Sequence, residues 1–280
     1  MNEATAIRLE SATRMGQHWA GEPGVIAVLL TGSTVEETCD ATSDVDMCVY
    51  WATAPTRDML DAVKAECGSG ERFFFFGEPE QGGCVESYPI GGIRHDFAHT
   101  TLEIWDAQTA DVLEQLNLDS LWPKGMYGTL RGRALHGADV IDGLRGKLAP
   151  YPDRLQLALL GKYCLFRAHA TIRRYAQERG DLLFYFELLT TLETNLLFTL
   201  CAVNRVYHAM EFKRLPRFVE REFAHAPANL AARLDALLTG DVATFPPDLI
   251  ALVEETLAIV EAQCPEFDTT PVRAKWQLVV

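Results

Sequence analysis

The sequence predicts an α+β fold, in which a small mixed sheet with helices is followed by an all-helical region. Short apolar runs rich in Val, Leu, Ile and Phe, bounded by turn residues, are concentrated before residue 149 and are typical of buried strands. After residue 150, apolar residues recur at helical spacing instead. We therefore predict two domains, 1–149 and 150–280, with a boundary at Ala149–Pro152, where two prolines break the helical pattern.

Composition places the chain among soluble globular proteins. Its 280 residues suffice for two hydrophobic cores, and 48% of them are hydrophobic and 23% charged. The sequence suggests no apolar run approaching the roughly 20 residues that span a bilayer, and the first residues lack a signal-peptide pattern. Seven scattered cysteines without a Cys-x-x-Cys pair favour a reducing compartment and argue against a zinc site. We expect a cytoplasmic protein with no membrane partner.

The net charge of −14 is unevenly distributed. Residues 1–145 contain 10 basic and 23 acidic residues, whereas residues 146–280 contain 15 and 16. An acidic first half is a poor match for nucleic acid, whose phosphates are neutralised by Lys and Arg, and it suits a cationic partner better. Solubility alone is the alternative explanation. If Glu71, Glu78, Glu80 and Glu86 line the mouth of the site, they attract a polycation and repel RNA.

The first elements are a helix and two buried strands. A helix is predicted over Glu3–Trp19 and is ended by the turn residues 21–24. Strands are predicted over Val25–Leu30 and Met47–Trp51. The apolar face of the helix is expected to carry Ala6, Leu9, Ala12, Met15 and Trp19.

The connection between these strands carries the residues with the clearest chemistry. Asp44 and Asp46 point the same way because side chains alternate along a strand. Two adjacent carboxylates repel each other, and a divalent cation such as Mg²⁺ relieves that repulsion while completing its shell with substrate phosphates. Gly32 permits close approach of the backbone to a ligand, and Gly32 and Ser33 together can hold phosphate oxygens.

Gly32-Ser33, followed by Ser43-Asp44-Val45-Asp46 after a strand, resembles the signature of the polymerase-β-like nucleotidyltransferase superfamily. Antibiotic nucleotidyltransferases of the kanamycin and lincosamide type belong to it. The resemblance implies Mg²⁺-dependent transfer of a nucleoside monophosphate, expected to be AMP, from an NTP to a hydroxyl. It implies two Mg²⁺ ions with Asp44 and Asp46 as ligands, phosphates at Gly32 and Ser33, and a third carboxylate on a later strand.

The elements that follow lead to that third carboxylate. A helix is predicted over Pro55–Cys67, and the four phenylalanines in Arg72–Phe76 predict a buried strand of the core. The segment Gly77–Gly83 is predicted to be a polar, acidic loop. Ile90–Ala98 alternates as a strand, with Arg94 and Asp96 on one face and His95 packed on the other.

Asp96, in the sequence His-Asp-Phe, matches the third carboxylate of the superfamily. The resemblance implies that Asp96 completes the metal site and accepts the proton of the attacking hydroxyl. Next, Thr100-x-x-Glu103 predicts a capping box at the start of a helix over Leu102–Leu116, which accounts for Glu103. A short strand and a helix over Arg131–Leu148 are expected to close the first domain.

The second half is predicted to be helical, over Asp153–Arg179, Leu182–Tyr207, Leu215–Phe223, Leu230–Leu238 and Leu249–Gln263. Asn204-Arg205-x-Tyr207 with Lys213 resembles a helix-end feature of related nucleotidyltransferases, which implies that Arg205 and Lys213 meet the triphosphate. The alternative is a solvated basic helix end favoured by the helix dipole. Some antibiotic nucleotidyltransferases take their general base from this domain, so Glu187 or Glu193 could replace Asp96 in that role.

These interpretations together predict a nucleotidyltransferase with its site in the cleft between the two domains. The expected acceptor is a small cationic molecule such as an aminoglycoside-like antibiotic. The alternatives are a nucleotidyltransferase toxin or modifier that acts on protein or tRNA, and a nucleotide-binding sensor without turnover. Three carboxylates argue against the sensor, and the acidic charge argues against tRNA as a substrate.

Overall fold

The computed structural model describes residues 1–208, 211–240 and 247–278, and its chain divides into two compact units. The first unit comprises Met1–Asn117 and Trp122–Pro150, and the second comprises Leu118–Leu121 and Tyr151–Val280. The predicted α+β fold is confirmed, because a mixed sheet with helices precedes a helical region. The short stretch 118–121 belongs to the second unit, where Lys162 donates to the Leu118 carbonyl and pairs with Asp119, each at 2.7 Å.

The first unit is built on a six-stranded sheet with the order β3-β4-β5-β2-β1-β6. Strands β2 and β5 are parallel, and every other neighbouring pair is antiparallel. The strands are β1 (Val25–Thr31), β2 (Val45–Trp51), β3 (Phe74–Glu78), β4 (Gly83–Ile90), β5 (Ile93–Thr101) and β6 (Arg133–His136). The one parallel pair lies at the centre of the sheet and joins the two segments that carry the predicted carboxylates.

The helices of this unit are α1 (Glu3–Ala20), α2 (Gly32–Val35), α3 (Arg57–Glu66), α4 (Leu102–Leu113), α5 (Pro123–Arg131) and α6 (Ala138–Leu148). Two of these helices, the single-turn α2 and the longer α5, were not predicted from the sequence. The predicted cap of α4 is displaced by one residue, because Thr101 rather than Thr100 accepts the amide of Ile104, at 3.3 Å. The segment 77–83, predicted to be a loop, is mostly regular structure. Strand β3 continues to Glu78, and a 3₁₀ turn spans Pro79–Gln81.

One face of the sheet packs against α1 and α3 and forms the hydrophobic core. Its buried residues include Ala12, Met15, Trp19, Leu30, Met47, Trp51, Leu60, Val63, Tyr88 and Phe97. His95 is buried on this face as predicted, with its Nε2 3.0 Å from the Ser11 hydroxyl. The prediction of the apolar face of α1 is only partly right. Ala6, which was assigned to that face, is exposed, whereas Arg8, which was not, is buried.

The prediction that the phenylalanine run forms a core strand is wrong. Phe73 and Phe76 are 61% and 65% exposed, and β3 lies at the edge of the sheet. Because side chains alternate, a run of four phenylalanines cannot all face the core, and Phe75 alone joins the core cluster. The opposite face of β3 has no covering layer among the described residues that would bury Phe76.

A network of charged and polar side chains is buried beneath β4. Glu86 is fully buried; Arg72 Nε donates to its Oε2 at 2.5 Å, and its Oε1 lies 3.2 Å from His99 Nε2. Trp51 Nε1 donates to His99 Nδ1 at 3.2 Å, so Nε2 is the His99 nitrogen that donates to Glu86. Arg72 also pairs with Asp61 on α3. The network therefore ties β2, β4 and β5 to α3 through Arg72, which lies just before β3.

We expect Arg72→Met to lower the free energy of unfolding by about 3–5 kcal/mol, because it leaves the buried Glu86 carboxylate without its cation. Urea denaturation followed by tryptophan fluorescence measures the loss. Arg57→Met is the control, since Arg57 pairs with the same Asp61 from the exposed surface and should cost under about 1 kcal/mol. The double variant Arg72→Met/Glu86→Gln should recover part of the loss, and equal stability of Arg72→Met and wild type would contradict this account.

The second unit is helical, with α7 (Asp153–Tyr163), α8 (His169–Arg173), α9 (Leu182–Val203), α10 (Leu215–Glu222), α11 (Leu230–Thr239), α12 (Pro247–Gln263) and α13 (Thr270–Trp276). The single helix predicted over Asp153–Arg179 is interrupted after Tyr163 and resumes as α8 and a π-helical turn, Arg174–Arg179. Helix α9 is long and apolar enough, by length and composition, to cross a membrane, which the sequence did not suggest. Most of its residues are buried, and it packs against α7.

Candidate active site

The two central strands bring three carboxylates together. Asp46 on β2 lies directly opposite Asp96 on β5 in the parallel ladder, and Asp44 immediately precedes β2. One carboxylate oxygen from each of the three residues lies within 4.8 Å of the others. All three side chains are half-buried, so the cluster is open to solvent on one side. Residues 50 positions apart in the sequence thus form one site because their strands are neighbours.

Gly32 forms the wall of this site beside β1. It adopts a φ of +67°, which L side chains rarely adopt. A Cβ placed on Gly32 would lie 3.0 Å from the Asp46 Cγ and overlap its Oδ2. Ser33 follows in the turn α2, with its hydroxyl 3.4 Å from the Cys39 thiol. Glycine is therefore required here both by backbone conformation and by contact with a site carboxylate.

The N-terminal helix α1 holds the loop that delivers Asp44. The buried Arg8 donates from Nε to the Ser43 carbonyl at 2.6 Å and from Nη2 to the Ala41 carbonyl at 2.9 Å. Asn2 adds a bond to the Cys39 carbonyl at 2.9 Å. Sequence reasoning missed this role of Arg8, although a charged residue among the apolar positions of a predicted helix is a signal that could have found it.

Asp96 is held by two neighbours on the same face of the sheet. Ser87 on β4 donates its hydroxyl proton to Asp96 Oδ1 at 2.5 Å. Arg94 contacts both carboxylate oxygens, Nε to Oδ1 and Nη2 to Oδ2, each at 2.8 Å. This fork confirms that Arg94 and Asp96 share a face. The pKa of Arg94 is raised, mainly by the hydrogen bond to Asp96 and also by the negative charges of Asp96, Asp44 and Asp46. The guanidinium therefore remains charged.

Strand register shows which side chains share this face. In the row through Asp46 and Asp96, Ser87 and then Phe74 follow across β4 and β3. In the next row, Cys48 is followed by Ala98, Val85 and Phe76. Burial raises the pKa of the Cys48 thiol to about 12, and the charge of Asp46 adds to the shift. Cys48 is therefore a neutral side chain next to the carboxylates. An apolar patch of the exposed Phe76 and Val85 and the half-buried Phe74 therefore adjoins the carboxylates.

The three carboxylates fit a hard divalent cation. Carboxylate oxygens are the ligands that Mg²⁺ prefers, and it commonly takes one or two of them together with oxygens from a substrate. The bare Cα of Gly32 leaves the Asp46 carboxylate room that any side chain would fill. The three carboxylates could therefore hold a divalent metal ion.

The acidic residues predicted to line the mouth of the site do not form one group. Glu86 is buried in the network with Arg72 and His99, so that part of the prediction is wrong. Glu80 accepts the backbone amide of Arg57 at 2.8 Å. Glu71 and Glu78 are exposed. Of these four residues, Glu86 and Glu80 thus have structural contacts within the first unit.

The residues predicted in the second unit have contacts of their own. Arg205 bonds to the Tyr151 carbonyl, Asp153 and Gln156, at 2.9, 2.6 and 3.2 Å. Lys213 is largely exposed and lies 3.5 Å from Glu211. Their assignment to the triphosphate stays a prediction.

The two alternative bases differ in their surroundings. Glu187 is exposed on α9, whereas Glu193 is buried, with no hydrogen-bond partner for its Oε1 among the described residues. Burial, followed by the nearby charge of Asp235, raises the pKa of Glu193 to about 7. Neither role as a general base has been tested, so both remain predictions.

The comparisons with known proteins find similarity of structure only. No protein-family model matches the chain, and no curated protein matches it. Among solved structures, a nucleotidyltransferase-like protein from Exiguobacterium sibiricum is similar, with 12% sequence identity and a TM-score of 0.33. The match covers 91% of this chain and 75% of that one. A likeness at this TM-score does not by itself show a shared activity.

Proposed function

We propose that the protein is a Mg²⁺-dependent nucleotidyltransferase that moves a nucleoside monophosphate, expected to be AMP, from an NTP to a hydroxyl of a small cationic acceptor. The observation that carries this proposal is the pairing of Asp46 with Asp96 across parallel strands, with Asp44 in reach and Gly32 against Asp46. A carboxylate cluster beside a glycine turn is suited to hold a cation and phosphates together.

The proposed reaction assigns each residue a task. Asp44, Asp46 and Asp96 would hold Mg²⁺, which supplies charge stabilisation for the attacking and leaving oxygens. Gly32 and Ser33 bind phosphate oxygens of the NTP. The acceptor oxygen forms a bond to the α-phosphorus, the bond from that phosphorus to the bridging oxygen breaks, and pyrophosphate leaves. Asp96 accepts the proton of the acceptor hydroxyl.

The arrangement across the sheet supports a position for the acceptor over β4 and β3. Attacking and leaving oxygens are roughly in line in phosphoryl transfer, on opposite sides of the phosphorus. With pyrophosphate at Gly32 beside β1, the hydroxyl arrives from the side of Asp96 and β5. The acceptor then lies over β4 and β3, where Phe74 and Phe76 are stacked with ring centroids 5.4 Å apart. Aromatic faces and carboxylates such as the exposed Glu78 both attract cations, which supports a cationic acceptor.

A direct transfer assay tests the function and the acceptor separately. The protein is incubated with labelled NTPs and Mg²⁺, and pyrophosphate release and label transfer are followed with polyamine-bearing antibiotics, total tRNA or a proteome extract. We expect ATP to be consumed and label to enter the small cations, with an apparent KM that rises with ionic strength because exposed charges are screened. Transfer to tRNA or protein alone would overturn the acceptor proposal. No transfer to any acceptor, with NTP bound, would favour a sensor.

The role of Asp96 gives a further prediction. Asp96→Ala should lower the rate by about 10²–10⁴-fold, the contribution of a positioned proton acceptor, while nucleotide affinity falls less because Asp44 and Asp46 remain. Comparison of kcat with the Kd for Mg-ATP measures the two effects. Ser87→Ala is the matched control, since it removes one bond to Asp96 but leaves the carboxylate. A rate within threefold of wild type in Asp96→Ala would direct attention to Glu187 and Glu193.

A further inference from the structure

We propose that Arg94 is a latch on the candidate metal site: it holds Asp96 in the metal-free protein and competes with a cation for that carboxylate. This inference rests on the proposed function and adds a positioning residue to it. Arg94 lies two residues before Asp96 on β5, so both side chains emerge on the same face.

Both oxygens of Asp96 are already engaged. Arg94 forks across Oδ1 and Oδ2 at 2.8 Å, and the buried Ser87 hydroxyl adds a third bond at 2.5 Å. Bidentate guanidinium–carboxylate pairs are among the stronger and more directional hydrogen-bonded contacts in proteins. Oδ1 accepts two bonds and Oδ2 accepts one, so a cation at Asp96 would have to share Oδ2 with the positively charged guanidinium.

Arg94 also supplies the positive charge that the metal-free cluster needs. Three carboxylates with oxygens within 4.8 Å of one another repel strongly, and the Arg94 guanidinium interacts with all three. A cation at the same place meets that guanidinium as a like charge. The metal and the Arg94 fork consequently compete for one set of negative charges.

Two phenylalanine rings lie near the guanidinium in the position where it holds Asp96. The Arg94 Cζ lies 5.4 Å from the ring centroid of Phe74 and 6.0 Å from that of Phe73, within the range of a cation–π interaction. The Arg94 side chain is 45% exposed, which leaves it free to rotate away from Asp96.

Mn²⁺ titration tests the latch without any acceptor or turnover. Binding of Mn²⁺ alone is measured from the loss of its free electron paramagnetic resonance signal, in wild type, Arg94→Gln, Arg94→Lys and Asp46→Asn. We expect Arg94→Gln to bind Mn²⁺ about tenfold more tightly, the effect that Coulomb's law gives for removing a positive charge from beside a dication in a solvated site. Arg94→Lys keeps the charge but loses the fork and should show a smaller gain.

Arg57→Gln is the matched control. Arg57 stacks on Phe75, which joins the core cluster on the other side of β3, and its loss should leave Mn²⁺ affinity unchanged. Metal-free Arg94→Gln should also have a lower Tm than wild type, with a larger rise on adding Mn²⁺. Should Arg94→Gln fail to fold, the gain in Arg94→Lys carries the test.

The outcomes separate this inference from the function on which it rests. Loss of Mn²⁺ binding in Asp46→Asn, with equal or weaker binding in Arg94→Gln than in wild type, overturns the latch alone. No Mn²⁺ binding by wild type and Arg94→Gln alike, or binding that Asp46→Asn leaves intact, overturns both. Tighter binding in Arg94→Gln that requires Asp46 supports both.

Discussion

Replacing Asp46 by Asn is expected to lower the rate of nucleotidyl transfer by about a thousandfold or more while the protein stays folded. The same result is expected for Asp44→Asn. The amide is nearly the same size as the carboxylate but lacks the charge that binds Mg²⁺, and several kcal/mol of transition-state stabilisation by the ion are lost with it. Removing one of three clustered negative charges should not destabilise the metal-free fold.

Pyrophosphate release measures the rate, and calorimetric titration with Mg-ATP measures the metal-dependent part of binding. Asp58→Asn, an exposed carboxylate on α3, is the control and should behave as wild type. The melting temperature of each variant shows whether the fold is retained. Undiminished turnover in both Asp44→Asn and Asp46→Asn would remove these residues from the site.

Asp44 and Asp46 could be predicted from sequence because they are two carboxylates one residue apart beside an apolar run, which places them on one face of a strand. Asp96 could be predicted because it alternates with the packed His95 and Phe97 and matches the third carboxylate that the family resemblance implies. What the sequence could not provide is the neighbour of each strand. The parallel pairing of β2 with β5, which places Asp46 opposite Asp96, depends on contacts between segments about 50 residues apart.

The wrong predictions for the phenylalanine run and for Glu86 also arise because sequence does not show which segments are neighbours. A run of phenylalanines indicates a strand but does not say whether that strand is central or at an edge, and β3 proved to be an edge strand with Phe73 and Phe76 exposed. Charge counting has the same weakness, since Glu86 adds to the negative total yet is neutralised in the interior by Arg72. The partners of Arg8 and Arg94 likewise follow from three-dimensional proximity and not from any motif.

Gly32→Ala should be nearly as damaging to metal binding as Asp46→Asn, although it removes no functional group. The added Cβ would overlap Asp46 Oδ2 and lie 3.0 Å from Cγ, so the carboxylate must turn away from its position opposite Asp96. The positive φ of +67° adds backbone strain of about 1–2 kcal/mol for any L side chain. We expect about a hundredfold loss or more in turnover and a marked loss of Mn²⁺ affinity.

Gly91→Ala separates the contact with Asp46 from the strain. Gly91 also has a positive φ, +58°, in the turn between β4 and β5, but a Cβ there meets nothing within 4 Å. Both variants should therefore lose similar stability in urea denaturation, while only Gly32→Ala should lose Mn²⁺ binding and turnover. If the two variants lose stability equally and both keep metal affinity, the close approach of Gly32 to Asp46 has no functional role. A selective loss in Gly32→Ala would show that the glycine is required for the position of the carboxylate, because the backbone strain is present in both variants.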